Sequence, residues 1–254
     1  MAVDVGNTQT VLGLFEGQET RGQWRVATEP HRTADELAVI FSGLLSLRGR
    51  RLEEVSAMIV STVVPGLTRS YRDLAGEVFG VPFYGVTAGM KTGLQNRYDD
   101  PQAVGADRIV NAVAAGRHYG FPAIIVDIGT ATTVEAVDAD GNYLGGAILT
   151  GLYVALDALV SRTAKLPSVD LEEAPPKVIA TNTPDSIRSG FVYGYAGALD
   201  ALIRRSREEL GANGVRVIAT GGPAGAIVPH CGEIQEFDPD LTIKGLLALY
   251  EMNS

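Results

Sequence analysis

The phrase VDVGNTQTV at residues 3–11 returns as VDIGTATTV at residues 126–134, 123 positions further along a chain of 254. A chain of this length forms either one large domain or two of about 100–150 residues each. A nine-residue phrase repeated at close to half the chain length favours two. The expected division is an N-terminal domain over residues 1–121 and a C-terminal domain over residues 122–254, each opening on one copy of the phrase.

The flanking patterns repeat as well. From Ala2 to Thr28, short β-type runs alternate with turns, which predicts a three-stranded meander. Thr33-Ala34-Asp35-Glu36 reads as a capping box, and Leu37, Ile40, Phe41, Leu44 and Leu45 follow at helical spacing. AMIVSTVV at 57–64 reads as a buried strand stopped by Pro65-Gly66, with a helix over 67–79 and a short strand near PFYGV. A helix is expected from GADR to about Gly120. The second copy restarts the order: AIIVDIG as a buried strand, TATTVEAVDA, a turn at Asp140-Gly141, then NYLGGAIL. Helices follow near 151–163 and 184–210, then a strand VRVIAT and a closing helix in LTIKGLLALYEM. The layout is α/β, with helices packed on mixed sheets.

Composition narrows the function. A hydrophobic share of 46% supplies a packed core, yet stretches such as AIIV fall far short of the ~18 apolar residues that a membrane span needs. MAVDV lacks a basic start and an apolar signal segment, so a cytoplasmic protein is expected. The net charge of −9 disfavours nucleic acid, which demands a basic surface, and leaves small ligands as the natural partners. Cys231 is the one cysteine, so no internal disulfide forms, and packing suits it better than nucleophilic work. His31, His118 and His230 are scattered, without the spacing of a zinc site.

In each copy of the phrase an aspartate ends an apolar strand, a glycine stands two residues later, and hydroxyl or amide side chains follow. Glycine permits a tight turn and a close backbone approach to a ligand, and successive N–H groups in such a turn make an anion nest. The hydroxyls of Thr8, Thr10, Thr130, Thr132 and Thr133 are candidate partners for phosphate oxygens. A single Asp-x-Gly is ordinary turn chemistry; two in duplicated domains suggest a phosphate grip. Neither a P-loop nor a G-x-G-x-x-G fingerprint is present.

These residues carry a resemblance. DVGNT at 4–8, DIGTATT at 127–133, WRVAT with TADE, STVVP, GADR at 105–108, GGAI at 145–148, Asn182-Thr183 with Gly190, and TGG at 220–222 together resemble the type III pantothenate kinases, over nearly the whole chain. That family lies within the acetate kinase, sugar kinase, Hsp70 and actin superfamily. Two positions depart from its pattern: Thr150 stands where Pro is usual before Gly-Leu, and Gln9 where Asn or a basic residue is expected.

The resemblance implies duplicated actin-like (ribonuclease H-like) domains with ATP in a cleft between them. It implies that Asp4, Val5, Gly6, Asn7, Thr8, Gln9, Thr10 and Val11 bind ATP from the first turn and Thr130 from the second. Asp4 would also lie near Mg²⁺, and Asp127 would hold a monovalent cation, K⁺ or NH₄⁺. Asp107 would be the catalytic base for pantothenate, with Gly105, Ala106, Arg108 and Tyr98 holding that substrate. Thr183 would reach the same pocket from the second subunit of a homodimer, and TGG suggests a glycine-rich wall near the nucleotide base.

Without the resemblance, Asp107 reads equally well as a first-turn carboxylate favouring the helix dipole, Tyr98 as loop packing and Thr183 as a helix cap. The implied activity is phosphorylation of pantothenate at its 4′-hydroxyl, the first step towards coenzyme A. The alternatives are a catalytically silent nucleotide-binding regulator of the same fold and a kinase for another small hydroxylated substrate.

Overall fold

The computed structural model describes all of residues 1–254. In chain order, β1 (Ala2–Val5), β2 (Gln9–Glu16) and β3 (Glu19–Ala27) form the expected meander, followed by α1 (Ala34–Ser46), β4 (Met58–Thr62), α2 (Leu67–Asp73) and β5 (Phe83–Gly85). A two-residue strand β6 (Gln95–Asn96) precedes α3 (Ala106–His118). The second series is β7 (Ala123–Ile128), β8 (Ala131–Val137), β9 (Asn142–Thr150), α4 (Leu152–Ser161), α5 (Thr183–Leu210), β10 (Arg216–Thr220), α6 (Ala224–Ile227), β11 (Glu236–Phe237) and α7 (Leu241–Asn253).

Local chemistry sets the helix ends. Thr33 and Glu36 exchange both bonds of the capping box at α1, satisfying donors that the helix itself cannot. At α5 the cap is Asn182, whose side chain accepts from Asp185 N–H at 2.9 Å. Thr183 is therefore the first helical residue and not the cap, because Asn182 already occupies the extended position that capping requires. The far end of α5 stops at Gly211, whose φ of 58° only glycine adopts readily. Helix α2 continues through a π-type segment at Leu74–Val78, so the helix expected over 67–79 is continuous but not uniform.

The sheets repeat strand for strand. One runs β3-β2-β1-β4-β5, and the other runs β9-β8-β7-β10-β11 with β6 added beyond β9. In both, the first three strands are antiparallel, while the fourth and fifth lie parallel to the first. The repeated phrase is thus the first hairpin of each sheet.

The two hairpins differ by one residue of register. Asp4 pairs with Val11, whereas Asp127 pairs with Thr133, one step earlier in its phrase. The first turn is longer by that residue, and a slip of one exchanges the faces of every side chain beyond it. Thr10 and Thr132, at different places in the phrase, consequently take equivalent buried positions opposite Val5 and Ile128.

The chain divides into two compact units. The first comprises residues 1–93, 99–117 and 241–254; the second comprises residues 94–98 and 118–240. Helix α7, at the end of the chain, packs with the first unit, while β6 joins the sheet of the second. The first unit's main core lies between one sheet face, with Val3, Val5, Met58 and Val60, and Phe41, Leu45 and Tyr71 of α1 and α2. The second packs Ile124, Val126 and Val217 against Leu199 and Ile203 of α5.

Candidate active site

In the first unit the turn after β1 leaves Asn7, Thr8 and Gln9 exposed, with Asp4 half-buried at the strand end. Gly6 N–H closes the turn on Gln9 O at 3.0 Å. Thr28, at the end of WRVAT, secures it from just beyond β3: its N–H donates to Thr8 O at 2.9 Å, and its hydroxyl lies 2.9 Å from that of Thr10. Thr10, expected among the ATP contacts, is only 1% exposed, so its hydroxyl braces the turn from behind.

The first turn of α3 carries the GADR residues. Arg108 N–H donates to Asp107 Oδ1 at 2.9 Å, which folds the carboxylate back towards the helix start. That oxygen occupies the space where any Cβ on Gly105 would stand, so the glycine is the condition for this rotamer. Arg108 is 8% exposed. A buried arginine stays charged and requires compensating charge or hydrogen bonds.

The second unit repeats the bracing. Gly129 N–H closes the turn after β7 on Ala131 O at 3.0 Å, and Thr130 is exposed at its tip. Gly151 directly follows β9 as Thr28 follows β3, and its N–H likewise donates to the turn, on Thr130 O at 3.1 Å. A Cβ on Gly151 would overlap the carbonyls of Gly129 and Thr130, so only glycine permits α4 to start there. Tyr195 of α5 adds a further support, its hydroxyl 2.7 Å from Thr132 Oγ1 and 2.8 Å from Thr150 O. Burial raises the pKa of this phenol, while the bond with Thr132 acts in the opposite direction.

Asp127 lies beside Gly221, the first glycine of TGG. With φ at 101°, Gly221 brings its backbone so close that a Cβ would sit 2.8 Å from Asp127 Oδ1 and overlap Ile128 O. This glycine therefore belongs to the Asp127 corner, where the sequence suggested only a wall near the nucleotide base. The Asp127 carboxylate and the Ile128 carbonyl at this corner are hard oxygen donors of the kind that a cation accepts.

Tyr98 and Gly145, the first GGAI glycine, meet directly. Tyr98 N–H donates to Asn96 Oδ1 at 3.0 Å, and a Cβ on Gly145, whose φ is 103°, would stand 2.9 Å from the Tyr98 ring. Thr28, Gly151 and Gly221 lie in stretches the sequence singled out, but their bracing contacts were not foreseen, and Tyr195 was missed altogether. Their signal was present in glycines and hydroxyls just beyond strand ends, but their partners are distant in sequence.

Along α5, Thr183, Ile187, Gly190, Phe191, Gly194 and Tyr195 line an apolar groove of about 510 Å³ that Leu159 and Leu166 complete. Thr183 stands exposed at the start of that helix.

Doubled strand order with a braced turn at the head of each sheet defines a class, the actin-like α/β fold of sugar kinases. The ROK hexokinase from Thermus thermophilus superposes with a TM-score of 0.51 at 14% identity, covering 98% of this chain and 97% of that one, and so shares the fold. The family model described as type III pantothenate kinase matches residues 1–205. A protein of Rubrobacter xylanophilus named type III pantothenate kinase is 64% identical over 258 residues, covering 100% of this chain and 98% of its own. One of that name from Moorella thermoacetica is 44% identical over 254 residues, covering 100% and 99%. The chain belongs to the type III pantothenate kinase family.

Proposed function

We infer that the protein phosphorylates pantothenate with ATP, giving 4′-phosphopantothenate and ADP as the first step of coenzyme A biosynthesis. The observation that carries this reading is the Asp107 carboxylate, fixed over a side-chain-free Gly105 at the first turn of α3, in a chain with both Asp-x-Gly turns intact. In this reading Asp107 accepts the proton of the pantothenate primary hydroxyl as its oxygen bonds to the γ-phosphorus. The bond from that phosphorus to the β–γ bridging oxygen breaks, and ADP departs. Base catalysis of this kind is worth ~10²–10⁴ in rate. Arg108 and the amides of Gly105 and Ala106 hold the anionic substrate, which a cation and a helix N-terminus attract despite the acidic net charge. Tyr98 is assigned to the same substrate.

Residues 4–11 and Thr130 are assigned to the ATP phosphates, Thr10 through its backbone because its hydroxyl is buried. Asp4 would hold Mg²⁺ and Asp127 a K⁺ or NH₄⁺ ion. Mg²⁺ characteristically takes one or two carboxylates together with substrate phosphates, and the Asp127 corner supplies the oxygens for the monovalent ion. Bound there, the cations would neutralise charge on the transferring group.

The α5 groove supports a homodimer in which Thr183 serves the pocket of the second subunit. No helix is long and apolar enough to cross a membrane. A cytoplasmic setting agrees with a lone cysteine and an ATP-dependent reaction.

The test is ADP release coupled to an indicator enzyme, with pantothenate, Mg²⁺ and K⁺ present. Pantothenate-dependent ADP formation is expected, and its absence from well-folded protein refutes the assignment. Asp107→Asn is expected to lower kcat by ~10²–10⁴ while leaving ATP affinity unchanged. Turnover close to wild type would remove Asp107 from the base role.

A further inference from the structure

STVVP at 61–65 is the one motif of the resemblance to which neither fold nor proposed chemistry has given a task. Its serine is fully buried, at 0% exposure, and its hydroxyl has no hydrogen-bond partner. Such a group is destabilising relative to a paired one, so proteins rarely keep one without use. The other unpartnered buried polar atom, Trp24 Nε1, lies on β3, away from this strand end.

Register explains where Ser61 points. Strands β1 and β4 are parallel, and Asp4 pairs directly with Ser61. Each is the penultimate residue of its strand, at the carboxyl end of the sheet where ligands of α/β folds collect. Paired residues project to the same face, and neighbouring strands lie about 4.8 Å apart. The opposite face takes Val3, Val5, Met58 and Val60 into the main core, leaving Asp4 and Ser61 together on the other. On its second flank Asp4 pairs with Val11, which has no side-chain donor. Among the cross-strand neighbours of Asp4, Ser61 alone carries a hydroxyl proton.

We propose that Ser61 is a positioning residue for the Asp4 carboxylate, donating a hydrogen bond to it when Asp4 engages the Mg²⁺-nucleotide. This rests on the assignment of Asp4 to Mg²⁺ in the proposed function. One χ1 step between staggered rotamers turns the hydroxyl towards the neighbouring strand. The bond leaves the second carboxylate oxygen for the cation and holds the carboxylate in one orientation. In the ligand-free protein the hydroxyl is an unpaired polar group; with nucleotide bound it has its partner.

The experiment compares Ser61→Ala with wild type in two measurements. Thermal melting without ligand should show the variant at least as stable as wild type, because the deleted group had no partner. Calorimetric titration with ADP should show affinity weakened at least fivefold when Mg²⁺ is present and unchanged when Mg²⁺ is chelated. A lower melting temperature, or failure to fold, would mean that the hydroxyl has a structural partner and overturns the proposal. Equal affinities with Mg²⁺ overturn it too. Because these readouts need no turnover, they stay distinct from the pantothenate assay: a protein that ignores pantothenate but shows the Mg²⁺-dependent loss retains this inference and loses the substrate assignment.

Discussion

Asp107 and Gly105 form a single device at the residue scale. The carboxylate turns back because Arg108 N–H holds it, and it has room because Gly105 lacks a side chain. Gly105→Ala should therefore displace the proposed base, Asp107, without disturbing the core. Asp is short, so the rotamer yields before the backbone does. The expected result is a fall in kcat of about 10-fold or more, since small misplacements of reacting groups are expensive, with the melting temperature nearly unchanged. Steady-state kinetics beside a melting curve checks both. Cys231 illustrates the opposite case, a reactive residue type made inert. Burial, and then the Asp200 carboxylate, push its thiol up to about 12, and Sγ is 3.5 Å from Ile227 O. Iodoacetamide at pH 8 should leave it unlabelled in the native protein and label it after unfolding. The sign for stability follows. A folded pKa above the unfolded value near 8.5 means that this contribution is present below pH 8.5 and is lost as pH rises towards 12. Cys231→Ala should show a smaller loss of denaturation midpoint between pH 8 and pH 10.5 than wild type.

Helix α5 displays, at the scale of elements, how far pattern reading reaches. Its span was legible from periodicity, as were the two meanders and the α1 capping box, because each depends on neighbours in sequence. Strands β6 and β11, two residues each, were not legible, since a pair of residues has no period. Nor was the one-residue register difference between hairpins: Thr28 and Gly151, which brace the turns, lie some 20 residues beyond them. The groove on α5 was equally hidden, because Gly190 and Gly194 in a helix read only as weak helix formers. A Cβ at either position meets nothing within 4 Å. Gly194→Arg should thus be harmless or slightly stabilising within one chain, as removing a mid-helix glycine gains about 0.5–1 kcal/mol. In a homodimer packed through this groove, the same side chain would fill the contact. Sedimentation should show a stable monomer, with activity lost as Thr183 leaves its pocket. A variant that remains dimeric would place the interface elsewhere.

Duplication at the scale of the whole molecule suggests two independent halves, but the chain does not distribute its cores that way. Cut at 121/122, the N-terminal half would retain β1 to β5 and α1 to α3 but lose α7, whose Leu241, Ile243, Leu246 and Leu249 are buried in the first unit. Ile243 packs where a Cβ on Gly13 of β2 would stand, on the sheet face that Asp4 and Ser61 share, and Thr242 donates from its hydroxyl to Asn111 Oδ1 on α3 at 2.7 Å. Burying four large aliphatic side chains is worth roughly 6–12 kcal/mol at about 1.5–3 kcal/mol each. That equals most of the 5–15 kcal/mol by which a domain is ordinarily stable. Residues 1–121 alone should therefore fail to fold, showing weak ellipticity and no cooperative melting transition, with the surface meant for α7 exposed to aggregation. A covalent fusion that returns residues 241–254 through a flexible linker should restore a cooperative transition. A fragment 1–121 that folds unaided would mean that α7 contributes far less than its burial implies, and that the first sheet supports the Asp4 turn without it.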